Sequence, residues 1–355
     1  MAVYYITFTN WSTFLNALLR QHSVYGLFED NANLFCQKLT AQNISNITVN
    51  RYRAVQPVKS LLFPVKEEVT HAPSLRPNVL IGAKACDLGH LLTTDAIFSG
   101  RVSGAGSAGA GGFHRQGIED PYYRIRRGNT ILISADCDDL RPSCFCTLME
   151  GSPYPLKGFD MNLSPTRSGF LAETGSEPGE ALVRAHTKLF QEPRPEHLEE
   201  RRQCRENMTR RLQENNRRFN WSNPKKIIEN GGPAKTWEQD IAGTCVECDA
   251  CRFTCGTCYC FLLGETVRKW DRIRTWDSCQ SVGYGRVAGG ANPRRTRGER
   301  LRNLYTCKLQ YRPDNFGVYA CTGCGRCIDV CQGKIDIRES LQKLYDEQAA
   351  VRAPK

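Results

Sequence analysis

The stretch CVECDACRFTC sets four thiols at C-x2-C-x2-C-x3-C: Cys245, Cys248, Cys251 and Cys255. CTGCGRCIDVC repeats the ruler with Cys321, Cys324, Cys327 and Cys331. Three thiolates on one tight loop can reach three irons of a single cube, while a fourth at the start of a helix leads away from it. This is the bacterial spacing for 4Fe-4S clusters, in which the fourth cysteine of each run serves the other run's cluster. With 18 Cys in 355 residues, one such run would arise by chance only about 0.002 times per chain. Two runs therefore predict two cubes, one on Cys245, Cys248, Cys251 and Cys331, the other on Cys321, Cys324, Cys327 and Cys255. The same eight cysteines could hold two tetrahedral zinc ions. Zinc modules, however, usually separate two C-x2-C pairs by a dozen or more residues, whereas here three thiols crowd one loop.

Two further groups of cysteines are candidate ligands. A short apolar strand over residues 79–82 leads to Cys86 and Asp87, then into a helical pattern carrying Leu88, Leu91, Leu92 and Ile97. A second strand over 130–134 leads in the same way to Cys137 and on to Cys144 and Cys146. Ligands gather beyond the carboxyl ends of strands in open α/β sheets, so Cys86, Cys137, Cys144 and Cys146 could converge on a third metal site. Against this, free cysteines are commonly buried without any metal. Between the ferredoxin-type runs lie Cys258, Cys260, Cys279 and Cys307, enough for another cube or, alternatively, small apolar packing groups around the first two. Cys204 stands alone in a charged stretch and is expected to be unligated.

The elements that position these residues divide the chain into an α/β domain with the candidate third site over 1–190, a charged helical linker over 191–236, a mostly helical dicluster ferredoxin-like domain with an insertion over 237–345, and a tail over 346–355. The fold class is α+β. Trp11, Phe14, Leu15, Leu18 and Leu19 recur at three and four and predict an amphipathic core helix. Residues 57–69 read as a strand stopped at Pro64 and leading into a loop. The glycine-rich segment 100–112 reads as a mobile surface loop; it lacks the Lys-Ser/Thr of a phosphate loop. Leu341 and Leu344, on a closing helix, are expected to cover the second cluster.

Composition narrows the function. No stretch has the length of a membrane span or the layout of a secretory signal, which points to a cytoplasmic chain. Cysteine-rich chains outside the secretory route hold metals more often than disulfides. The formal charge is +11, and between residues 245 and 338 there are 16 Lys+Arg against 9 Asp+Glu. A thiolate-ligated oxidised cube carries a net charge of about −2, which local cations offset while favouring the reduced form. They could also dock an acidic partner. The rival use is a structural iron-sulfur or zinc module gripping nucleic acid through the Arg-rich insertion RRTRGERLR, although its arginines form no aromatic-basic stripe. No catalytic residue is assigned: the six histidines do not cluster with carboxylates, and no Gly-x-Gly-x-x-Gly fingerprint follows a strand.

With these residues in view, the chain resembles the 4Fe-4S dicluster electron-transfer family that includes the iron-sulfur subunit of anaerobic sulfite reductase and the beta subunit of archaeal sulfhydrogenases. The resemblance runs from about Lys59 to Leu344. It rests on KSLLFPVKEE, AKACDLGHLLTTDAIF, EDPYYRIRRGNTILISADC, SCFCTLMEGSPYPLKGFD, the CVECDACRFTCGTCYCF run, TWDSC, AGGANPRRTRGERLR and CTGCGRCIDVC. It implies a non-catalytic relay subunit of a heteromeric oxidoreductase in anaerobic metabolism. Its partners would be a subunit carrying FAD and NAD(P) and a catalytic subunit of sulfite reductase or nickel-iron hydrogenase type. Where the family typically has Gly this chain has Asp249, whose charge beside Cys248 would lower the cluster potential. Gly256 and Gln332 replace prolines. Cys307 stands where the family commonly has His, the exchange a metal-ligand position would tolerate.

Overall fold

The computed structural model describes residues 2–73, 76–100, 118–267 and 270–352; most of the glycine-rich segment 100–112 lies outside them. Among the described residues eleven strands are formed: β1 (Val3–Thr7), β2 (Ser23–Asp30), β3 (Asn33–Lys38), β4 (Ile47–Thr48), β5 (Lys66–Glu68), β6 (Asn78–Ala83), β7 (Thr130–Ala135), β8 (Met161–Pro165), β9 (Gly169–Thr174), β10 (Phe261–Glu265) and β11 (Arg272–Trp276). The large sheet runs β1-β9-β8-β7-β6-β2-β3, with β4 against β2. Its middle is parallel, β2 to β6 to β7 to β8, and its flanks are antiparallel.

Parallel strands covered on both faces read as continuous apolar runs, and β6 and β7 do. Alternate residues point to opposite faces. Val79, Ile81 and Ile133 enter one core beneath the helices Phe8–Gln21 and Glu177–Ala185, while Leu80 and Leu132 enter another beneath Ala85–Phe98. The first of these helices starts where Thr7 accepts from the Asn10 N–H at 3.1 Å, and it buries Trp11, Phe14, Leu15 and Leu18, the stripe predicted from spacing.

Residues 57–69 differ from expectation. Lys59–Leu62 is a short helix, and the strand, β5, comes after Pro64. There it joins β11 and β10 in a second sheet, so the hairpin inserted between the two cysteine runs is sewn to the first half of the chain. The charged helix Pro195–Asn215 buries Met208 and Leu212, and its Arg205 is ion-paired to buried Asp136 at 2.7 Å. A further core gathers Phe145, Trp221, Trp237, Leu301, Leu341 and Leu344. The closing helix spans Ile337–Arg352. Among the described residues no helix is long and apolar enough to cross a membrane.

Candidate metal centres

The two cysteine runs share one backbone shape. In each, the residue before the second cysteine and the residue after it are left-handed: Glu247 (φ 57°) and Asp249 (φ 60°) in the first, Gly323 (φ 68°) and Gly325 (φ 72°) in the second. A four-residue helix follows, Ala250–Phe253 or Arg326–Asp329. Residues with a Cβ tolerate that conformation poorly, at a cost of about 1–2 kcal/mol each, so the first loop pins its two acids. Glu247 is ion-paired to the buried guanidinium of Arg300. Asp249 accepts from Ser278 Oγ at 2.6 Å and from Ser281 Oγ at 2.7 Å. The second loop has no room for side chains: a Cβ at 325 would stand 2.2 Å from the Ser143 carbonyl oxygen, and one at 323 would stand 2.5 Å from that of Phe145. The loop is laid directly on the Ser143–Cys146 segment, with Phe145 N donating to Gly323 O at 2.8 Å.

All eight ferredoxin-type cysteines line one cavity of about 980 Å³, together with His90, Phe145, Tyr305, Lys308, Ile335 and Ile337. Leu341 and Leu344, expected as the cover, pack in the core behind it; Ile335 and Ile337 take that place. A charged thiolate raises a neighbour's pKa only from close by, so mutual effects map proximity. Burial pushes Cys251 up to about 12, with Arg252 opposing and Cys331 and Cys245 adding. Burial also raises Cys245, and Cys331 acts on it more strongly than any other thiol. For Cys321, pushed by burial up to about 12, the acting thiols are Cys324 and Cys255. Cys327 is raised by burial and then by Cys324, Cys321, Cys255 and Cys251. Cys331 thus acts on Cys245 and Cys251, while Cys255 acts on Cys321 and Cys327 and also on Cys251, so it lies between the two runs.

Cations from both halves of the chain surround these sulfurs. Lys308 Nζ donates to Cys255 Sγ at 3.0 Å and to Cys258 Sγ at 3.1 Å. Lys59 Nζ donates to the Cys258 carbonyl at 2.5 Å. Burial alone would raise Cys324, but His90, by charge and hydrogen bond, with Arg326 and Arg53, brings it down to about 6. Buried charges ordinarily have charged partners, yet among the described residues Lys59, Lys84, Arg252 and Lys308 form no ion pair with a carboxylate. The donor set, with buried cations whose hydrogen bonds go to sulfur, fits an anionic group held by thiolates. The eight sulfurs line one shared space, which suits a pair of adjacent clusters.

His90 escaped sequence reasoning. It is buried, with Nε2 2.8 Å from Thr322 Oγ1 and Nδ1 3.9 Å from Asp87, so one histidine does sit beside a carboxylate; exposed His71 also meets Glu68, at 2.9 Å. The spacing Asp87-x-x-His90 on a helix was the available signal. Gly256 makes the approach possible, because a Cβ there would stand 2.2 Å from His90 Nδ1. In the Arg-rich insertion Arg300 is buried on Glu247, while exposed Arg297 donates through Nη1 to the Cys245 carbonyl at 2.9 Å.

Cys86, Cys137, Cys144 and Cys146 come together as well, lining a cavity of about 380 Å³ with Tyr52, Arg53, Gly323 and Cys324. The group Cys258, Cys260, Cys279 and Cys307 is arranged differently. Cys258 shares Lys308 with Cys255. Cys260 and Cys279 are hydrogen-bonded, and that bond, with burial opposing and Arg252 assisting, pulls Cys260 down to about 5. Cys307 acts on Cys279 through its charge. Among them stands the buried Arg252 guanidinium, which donates to Cys260 Sγ at 3.2 Å. Cys204 is raised by burial and by Asp136 and Asp138. None of the 18 cysteines is paired in a disulfide.

Comparison with known proteins agrees with this geometry. Residues 244–335 match the family described as 4Fe-4S dicluster domain. The chain is 28% identical over 346 residues, 94% of its own length and 95% of the other's, to sulfhydrogenase 2 subunit beta of Pyrococcus furiosus. The chain therefore carries a 4Fe-4S dicluster domain and is, from end to end, a distant relative of a sulfhydrogenase beta subunit.

Proposed function

We propose that this chain is the iron-sulfur relay subunit of a cytoplasmic heteromeric oxidoreductase, joining a FAD- and NAD(P)-linked partner to a catalytic partner of nickel-iron hydrogenase or sulfite reductase type. The observation that carries the reading is the convergence of all eight ferredoxin-type thiols on one cavity, with Cys331 acting on Cys245 and Cys251 and Cys255 on Cys321 and Cys327 in keeping with a crossed ligation. When bound, the clusters supply one-electron chemistry at low potential. The protein's own part is to hold them: the paired left-handed loops aim the thiols, Phe145, Ile335 and Ile337 keep water out, and Lys308 and the Ile335 N–H, 3.2 Å from Cys331 Sγ, donate to sulfur. Such donors and cations tune a cluster's potential. The full-length likeness to a protein named as a hydrogenase subunit supports the multisubunit setting. The burial of Arg300 on Glu247 takes one arginine of the insertion away from any nucleic-acid-facing surface.

Anaerobically purified protein should absorb in the visible, bleach with dithionite, and contain at least about eight irons and eight sulfides per chain. Cys248→Ala or Cys324→Ala should each lower the iron content and abolish electron throughput, while the catalytic partner still reacts with artificial donors. A colourless, redox-silent preparation, or unchanged iron in both variants, refutes the reading.

A further inference from the structure

We propose that Cys86, Cys137, Cys144 and Cys146 hold a third 4Fe-4S cluster, set beside the second so that the relay reaches into the N-terminal sheet. The inference extends the proposed relay and rests on it. Topology supplies the first argument. β6 and β7 are adjacent and parallel, in register from Asn78↔Thr130 to Ala83↔Ser134, so their carboxyl ends open side by side. Cys86 follows the end of one strand and Cys137 the end of the other. Cys144 and Cys146 are brought back over them by the segment whose Phe145 N is hydrogen-bonded to Gly323. Four thiols from three chain segments thus face one space.

Adjacency to the dicluster site is the second argument. Cys324 and Gly323 adjoin the smaller cavity and Cys324 the larger one too, so the two sites share a wall.

Charge is the third. Lys84 is fully buried, its Nζ makes one hydrogen bond, to the Val49 carbonyl at 2.8 Å, and among the described residues it has no carboxylate ion pair. Cys137, Asp138, Asp136 and Asp87 act on it through their charges. A fully buried cation is costly, and a tetrathiolate cluster beside it would add to the negative charge those carboxylates supply.

The test is an iron and sulfide count with native mass spectrometry on the anaerobically purified full chain, wild type against Cys137→Ala and Cys86→Ala, which sit on different segments. The expected result is at least about twelve irons in the wild type and a loss of about four in each variant that folds, with the remaining clusters still reducible. About eight irons in wild type, one zinc in place of the third cube, or a folded variant that keeps its full iron overturns the proposal. If neither variant accumulates, the wild-type count decides. Eight irons that still bleach with dithionite would remove the third cluster and leave the two-cluster relay standing; absence of iron would remove both.

Discussion

Replacing Lys308 by methionine keeps an apolar stem of similar length and removes the ammonium that donates to Cys255 Sγ, Cys258 Sγ and, at 3.1 Å, Thr257 Oγ1. Burial by itself would lower this lysine's pKa, but the neighbouring thiolates more than reverse that and hold it well above its ordinary value, so the charge is present throughout the working pH range. Reduction adds one negative charge to the cluster assigned to Cys255, spread over the cube roughly 6 Å from the ammonium. At an effective dielectric constant near 20, that attraction is worth roughly 332/(20 × 6), or about 3 kcal/mol. At 59 mV per tenfold for a one-electron couple, this corresponds to about 120 mV. The lost N–H···S bonds act in the same direction. Lys308→Met should therefore lower the midpoint potential of one cluster by on the order of 100 mV. Lys308→Gln, which keeps donors but not charge, should lower it by most of that. The assay is a redox titration followed by electron paramagnetic resonance on wild type and both variants, with iron content checked in parallel. A potential that stays within about 20 mV of wild type, or that rises, would refute the placement of this cation on the cluster assigned to Cys255.

Three other outcomes follow from contacts already described. Gly325→Ala forces a left-handed alanine against the Ser143 backbone and should lower the denaturation free energy by about 2–4 kcal/mol; an unchanged denaturant midpoint would mean that the loop does not rest on that segment. Arg326→Met strands Asp87, its buried partner at 2.7 Å, and should cost about 3–5 kcal/mol, part of it recovered when Asp87→Asn is added; fully additive losses in that cycle would show the pair to be uncoupled. Cys204→Ser should leave iron content and the visible spectrum unchanged, and any loss of iron would give that thiol a ligand role.

What the sequence disclosed was what repeats locally. The 3.6-residue stripe of Trp11, Phe14, Leu15 and Leu18 is one helix face, the apolar runs before Cys86 and Cys137 are buried parallel strands, and the strand-then-cysteine pattern, seen twice, pointed to a convergence that the parallel register produces. Where pattern and tertiary partner disagreed, the partner won. Lys59–Leu62 is helical, with the Lys59 ammonium drawn to the Cys258 carbonyl, almost 200 residues away. Leu341 and Leu344 kept their helical spacing but face a core of tryptophans rather than the cavity. Lys84 and Lys308 were invisible as functional groups because nothing in their local spacing distinguishes them, and His90 offered only its i, i+3 spacing from Asp87. Their roles arise only when distant segments are brought against sulfur.

Those same contacts bear on how the dicluster unit works. A two-cluster ferredoxin module could in principle fold and set its potentials from its own residues, yet here the sulfur environment is built from both halves. Cys324 is acted on by His90 and Arg53 from the N-terminal half as well as by Arg326 beside it. Arg53 Nε donates to the Cys324 carbonyl at 2.6 Å. Phe145 lines the cavity, and its backbone closes on Gly323. Arg326 in turn reaches into the first half, pairing with Asp87 and donating through Nε to the Ala54 carbonyl at 2.8 Å. Because local charge and hydrogen bonds to the ligand loop are what tune such a site, any movement of the sheet relative to the cysteine loops would change potential as well as packing.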